Sequence, residues 1–217
     1  MLNICFHGVG TPQRELEPGE EVYWLDADRC LRILDEIATW PKVRISFDDG
    51  NASDAQIALP ALVERGLHAQ FFVLAGRLGS RGSLDVGDVR ELVHHGMAVG
   101  THGMSHRPWP GMSPVTREIE LVEARRRIEE VSGVPVTDAA CPLGRYDRRL
   151  LSDLRRLGYS RVYTSDRRRA RQGSWLQPRF SVRRDDTPES LRSALLSRPG
   201  LPRRTRCTVV GLVKRLR

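Results

Sequence analysis

Five side chains in this sequence are of the types that hold metal ions or move protons: Asp48 beside Asp49, His102 and His106 four residues apart, and His7 near the start. Two neutral imidazoles and one carboxylate make a mixed nitrogen and oxygen set. Such a set suits zinc or a similar divalent ion and leaves coordination positions open for water. Water on such an ion has its pKa brought down to about 7 and becomes a nucleophile at neutral pH. Adjacent carboxylates divide the remaining work, one binding the ion while its neighbour takes the proton of the attacking water. Each feature alone has a duller reading. Asp-Asp-Gly is a common turn, and two histidines four apart often lie on a solvated helix face. Pro108 and Pro110 argue against a helix through His106, so the spacing reads as a loop that aims both imidazoles at one point.

The elements that would position these residues alternate along the chain. Residues 43–47 alternate as a strand and run into the turn at Asp48, Asp49, Gly50 and Asn51. A strand over 97–101 ends at His102, and a short one over 4–6 ends at His7. Further strands are predicted at 70–74, 137–141, 161–164 and 179–182, about seven in all. Helical periodicity appears at 26–39, 53–65, 85–95, 115–131, 147–157 and 187–197, while 11–25, rich in Pro, Gly and Glu, reads as a loop. Strand followed by helix, repeated, predicts a parallel α/β fold, either an open doubly wound sheet or a barrel. Both gather functional groups at the C-terminal ends of their strands, which is where the candidate residues fall.

The 217 residues suit one domain, and 40% hydrophobic content is enough for a substantial core without disulfides. Mean hydropathy is −0.40, and no run approaches the ~20 apolar residues of a membrane-spanning helix. Cys5, Cys30, Cys141 and Cys207 lack CxxC spacing, which excludes a zinc ribbon or a thioredoxin-type redox pair. The first eight residues carry no signal-peptide pattern, so a cytoplasmic location, with contact to a membrane surface, is the expectation. The net charge of +8 is unevenly placed: residues 1–144 have an excess of carboxylates and 145–217 an excess of arginine. A basic segment of this kind suits phosphate groups or an anionic membrane surface. Nucleic acid is not expected as a partner, since no nucleic-acid motif is present and aromatic residues are only 6%.

Ser46-Phe47-Asp48-Asp49-Gly50 resembles the first motif of the polysaccharide deacetylases, carbohydrate esterase family 4. Thr101-His102-Gly103-Met104-Ser105-His106 resembles their second, about fifty residues later and again after an apolar strand. The resemblance covers roughly residues 3–186. It implies a distorted (β/α) barrel over residues 1–197, followed by a basic tail at 198–217. It also implies a metal-dependent hydrolase that removes an N-acetyl, less often N-formyl, group from an amino sugar, and with the cytoplasmic expectation the substrate is a cytoplasmic or inner-membrane-face glycan or glycoconjugate precursor. By that resemblance Asp48 is the catalytic base, and Asp49, His102 and His106 hold a divalent ion, zinc for preference. Ala140-Cys141-Pro142-Leu143-Gly144 is similar to the third motif, in which the residue at Leu143 offers its backbone N–H to the oxyanion. The motif's arginine is absent at Ala140, which puts the contact that orients the base in question. Trp175 is a candidate for the fourth motif's aromatic residue or, equally, a packing residue. No histidine follows residue 106, so the family's C-terminal proton donor is missing. Residues 4–7, Ile-Cys-Phe-His, have the form of that motif moved to the N-terminus, and in a barrel the first and last strands are neighbours. His7 is therefore the expected general acid. The alternative is a catalytically silent glycan- or membrane-binding member of the same fold.

Overall fold

The computed structural model describes residues 1–196. The basic tail expected at 198–217 lies outside the described residues. Strands β1 (Leu2–Phe6), β2 (Val43–Asp49), β3 (Ala69–Val73), β4 (Ala98–Thr101), β5 (Asp138–Ala140), β6 (Arg161–Thr164), β7 (Leu176–Pro178) and β8 (Phe180–Ser181) form one sheet. Its order is β7-β6-β5-β4-β3-β2-β1-β8, and every pairing is parallel. The two edge strands are consecutive in the chain, with only Arg179 between them. One extended segment therefore pairs with β6, bends, and pairs with β1, and this nearly closes a barrel of eight strands. Asn3 on β1 reinforces the seam by donating to Gln177 Oε1 and Pro178 O, both at 3.0 Å. The sequence predicts about seven strands; the eighth arises because the bend at Arg179 splits the last one and recruits residues before it.

Register separates two faces. Phe6, Phe47 and Phe71 are paired across β1, β2 and β3, and their rings stack at 5.1 Å on the outer face, within the main apolar core. Successive strand side chains alternate faces, so Ser46 and Asp48 point the other way, into the barrel with Phe72, Ala140 and Tyr163. Helix α1 (Ala27–Ala38) covers the outer face with Cys30, Ile33, Leu34 and Ile37, spaced to share one side, and Asp26 caps it by accepting from Arg29 N at 2.8 Å. Among the described residues no helix is long and apolar enough to cross a membrane.

Two predicted helices contain π-helical turns. One, Asp54–Ala58, precedes α2 (Leu59–Glu64); Pro60 has no N–H to give Gln56, and Leu59 N bonds Asp54 O five residues back. The other, Ile119–Glu123, joins α4 (Pro114–Glu118) to α5 (Ala124–Ser132). Each turn carries a buried acid, Asp54 or Glu120. Helices α3 (Val86–His94), α6 (Arg148–Arg156) and α7 (Pro188–Leu196) complete the outer layer.

Candidate metal and proton-transfer site

At the C-terminal ends of the strands lies a cavity of about 190 Å³ whose lining includes His7, Asp48, Asp49, His102, His106 and Leu143. All six sequence-predicted site residues therefore meet in one place. Trp175 is not among the residues lining it; its indole donates to Tyr159 O at 2.7 Å under the Arg155 guanidinium, a packing role.

β2 ends in Asp48 and Asp49, both 2% exposed. Asp49 adopts φ +79°, which turns its carboxylate away from the strand's alternation. His106, at φ +52°, and Leu143, at φ +55°, share this left-handed conformation. Three of the five such non-glycine residues among those described thus belong to the site. Each conformation costs about 1–3 kcal/mol and persists only where surrounding contacts impose it. For the histidine loop, Glu120 does so. Its carboxylate, 1% exposed, accepts from Met104 N at 2.8 Å, from Ser105 Oγ, and at 3.4 Å from Ser105 N and Trp109 Nε1. Gly103, at φ +87°, is required in the same loop because a Cβ there would come within 2.5 Å of Glu120 Oε2.

The Nε2 atoms of His102 and His106 each lie 3.5 Å from Asp49 Oδ1, too far for a good hydrogen bond. That oxygen is buried without a hydrogen-bond partner. A buried carboxylate oxygen facing two imidazole nitrogens across such gaps is suited to a cation, whose bonds to N and O ligands are ~2.0–2.2 Å. Asp49, His102 and His106 can thus hold a divalent ion. His102 Nδ1 lies 2.9 Å from Ala140 O, a contact that fixes its proton on Nδ1 and turns the Nε2 lone pair to the centre. Burial pulls the His102 pKa down to about 4, so the ring is a neutral ligand.

Asp48 is held differently. Arg179, fully buried at the bend between β7 and β8, donates to both of its oxygens at 2.6 Å and to Ser46 Oγ at 3.1 Å. The guanidinium lies over Phe72 and Tyr163, 5.2 and 5.7 Å from their ring centres. Burial alone would raise the Asp48 pKa. The Arg179 charge and hydrogen bonds, helped by His102 and His7, hold it well below the usual carboxylate range. The arginine that the third motif lacks at Ala140 is therefore supplied from the far side of the barrel. Sequence reasoning missed it, because the carboxylate it clamps lies 131 residues away in the chain.

His7 follows Phe6, whose partner on β2 is Phe47, so His7 stands level with Asp48. Its ring lies 5.0 Å from that of Tyr23. The loop called 11–25 from sequence also brings Glu17, Pro18, Gly19 and Glu20 to the cavity wall, contacts that composition did not reveal.

Residues 38–162 match the family model for polysaccharide deacetylases. The Bacillus subtilis (strain 168) protein YxkH, named as a polysaccharide deacetylase, is 26% identical over 124 residues, 57% of this chain and 44% of its own length. The match thus spans under half of that relative. The fold is similar to that of Streptococcus pyogenes deacetylase PplD, solved in complex with acetate, with TM-score 0.76 and 19% identity over 92% of this chain and 98% of that one. It is also similar to IcaB from Ammonifex degensii, with TM-score 0.74 and 21% identity over 90% and 97% of the two chains. The span and position of the family match establish that this chain belongs to the polysaccharide deacetylase family.

Proposed function

We propose that this member of the family is a metal-dependent carbohydrate N-deacetylase, hydrolysing the acetamide, less readily the formamide, of an amino sugar in a glycan or glycoconjugate. One observation carries the reading: the orphaned, buried Asp49 Oδ1 faces two imidazole nitrogens at 3.5 Å, directly beside a carboxylate clamped in its charged form.

Asp49, His102 and His106 would hold the ion, zinc by the chemistry of the donors. When bound, it would polarise the acyl oxygen and make water a nucleophile near neutral pH. Asp48 takes the proton of the attacking water. Its own proton affinity is lowered by Arg179, which keeps it ionised and ready to accept, and the bidentate contact fixes its orientation. Leu143, held at φ +55° at the cavity wall, supplies its N–H to the developing oxyanion. His7, beside Asp48 with a ring nitrogen within 4.8 Å of its carboxylate, gives a proton to the departing amine so that the C–N bond breaks to a neutral amino sugar. The full residue set weighs against the catalytically silent alternative. For the arginine-rich segment from residue 198 on, contact with substrate phosphates or an anionic membrane surface, and with it a membrane-peripheral setting, rests on composition alone.

The test is acetate release by metal-loaded protein from N-acetylated sugars, sugar nucleotides and lipid-linked sugars. Asp48→Asn should lower turnover at least ~10³-fold, as loss of an essential base does in comparable sites, while leaving metal affinity in place. Turnover that survives this substitution refutes the mechanism. Undiminished turnover in His7→Ala refutes the proton donor alone.

A further inference from the structure

We propose that Glu17 is the outer carboxylate of the metal centre, fixing the His106 imidazole through Nδ1, and that the loop between β1 and α1 is thereby a working part of the metal site. The inference rests on the reading of Asp49, His102 and His106 as ligands.

A metal-binding imidazole needs an acceptor at its second nitrogen, which sets the tautomer and raises ligand basicity. For His102 a backbone carbonyl, Ala140 O, serves. His106 lies in an irregular loop and has no such carbonyl in the barrel. Instead its Nδ1 lies 2.7 Å from Glu17 Oε2, while its Nε2 faces Asp49. The two contacts together leave one arrangement of the ring: proton on Nδ1, lone pair on Nε2 toward the centre. Nothing in the family's metal motifs encodes this partner, which comes from 89 residues earlier in the chain.

Glu17 is itself held. Arg77, just after β3, pairs with its other oxygen. Its backbone N donates to Glu20 Oε2 at 2.9 Å, and Glu20 N returns a bond to Glu17 O at 3.0 Å. Glu20 is in turn clamped by Arg14, which also donates to Asn51 Oδ1 at 2.8 Å, in the turn immediately after the metal-binding Asp49, and lies over Trp24. The feet of the loop close through Gly10 N to Leu25 O at 2.8 Å and Leu25 N to Gly8 O at 3.0 Å. The loop is thus held by its own contacts, and it touches both sides of the cavity, His106 through Glu17 and His7 through Tyr23. The Glu17 side chain is 41% exposed, so its ion pair with Arg77 adds little to folding. Its position is better explained by the ring it orients.

Zinc affinity of the full chain, measured by competition with a chromophoric chelator, tests this. Glu17→Ala should weaken zinc binding ~10–100-fold, the usual effect of losing such a partner. Glu17→Gln, whose amide oxygen still accepts from Nδ1, should lose much less. The unfolding midpoint of the metal-free protein should not move. Long-range ¹H–¹⁵N spectra of the metal-free imidazoles should show His106 as the Nδ1–H tautomer, shifting toward Nε2–H in Glu17→Ala. Unchanged zinc affinity, or an unchanged tautomer, in Glu17→Ala overturns the proposal. His106→Ala separates the two levels: if it too keeps full zinc affinity, the ligand assignment falls and not merely its brace.

Discussion

The proposed metal side of the cavity and the proposed proton-transfer side are braced by opposite kinds of group, acceptors on one and a donor on the other. His102 and His106 rest on acceptors, the Ala140 carbonyl and the Glu17 carboxylate, and their loop hangs from the Glu120 carboxylate. Asp48 rests on a donor, the buried Arg179 guanidinium. The difference follows from what each group must do. A ligand imidazole has to keep its proton on the far nitrogen, which an acceptor enforces. A buried base has to stay ionised in a medium that opposes charge, which only a cation or strong donors achieve. The two sides also differ in where they lie along the chain. The family match, residues 38–162, contains the whole metal triad and Asp48, whereas His7 precedes it and Arg179 follows it. The proposed metal ligands come from two local motifs, with only the brace Glu17 reaching in from outside the match; the proton side is assembled across the barrel seam, from β1 and the β7–β8 bend.

Breaking the proton side at its brace should have the largest effect. Arg179→Met leaves Asp48 buried without its cation, and removing one member of a buried pair costs about 3–5 kcal/mol of stability. In whatever folds, loss of the bidentate contact should reduce kcat/KM by ~10²-fold or more. The pH profile carries the sign. In the wild type Asp48 stays charged far into acid, and its contribution to stability, present above an ordinary Asp pKa of about 3.9, is lost only as pH falls through its depressed value. Without Arg179, burial pushes the pKa up, so the acidic limb of kcat/KM should move to higher pH. Arg179→Lys, which keeps the charge but not the fork, should shift it less. An acidic limb that stays put in Arg179→Met would show that the two sides do not depend on separate braces.

The matching break on the metal side is milder. Glu120→Ala strands the N–H groups of Met104, Ser105 and Trp109 that its carboxylate satisfies. A loss of about 2–4 kcal/mol is expected from several stranded donors, together with weaker zinc binding as the loop relaxes. Glu120→Gln can still accept from Met104 N and turn its amide to Ser105 Oγ, so it should recover most of both. Equal losses in Ala and Gln would mean that the carboxylate's charge, and not its acceptor geometry, holds the loop. Denaturant unfolding and chelator competition on the same samples separate the two effects.

The same asymmetry explains what the sequence discloses. Asp48, Asp49, His102 and His106 sit in short segments directly after apolar strands, so type and spacing expose them together. His7 is visible because the short strand over 4–6 points it to the same rim. Arg179 is not, since its partner is 131 residues away and nothing local distinguishes it from the other arginines of a basic segment. Glu17 and Glu120 are hidden for the same reason: acids in a polar loop and on a helix read as solvated until tertiary contacts bury or pair them. The strand count errs at the one place where the barrel closes by bending a strand, and the helices at 53–65 and 115–131 read as continuous because a π-helical turn barely disturbs apolar spacing.

Asp54 offers the smallest effect and the sharpest control, because it is a buried acid beside the site that neither side claims. It is fully buried and neither oxygen has a hydrogen-bond partner. Burial first, then the charges of Asp49 and Asp48, raise its pKa well above the usual value. A carboxyl of this kind keeps in the native state a proton that the unfolded chain releases. Its contribution to stability is therefore full below about pH 3.9, the unfolded value, and declines as pH rises toward the native one. Asp54→Asn has no such proton to lose. It should leave zinc affinity and kcat unchanged and make the protein as stable as wild type or more so. The advantage should grow from pH 5 to pH 9 and amount to a few degrees in Tm, at roughly 2–4 °C per kcal/mol for a chain of this size. If Asp54→Asn instead weakens zinc binding, Asp54 belongs with Glu17 and Glu120 among the acids that brace the metal side. The contrast would then lie between three carboxylates and one arginine.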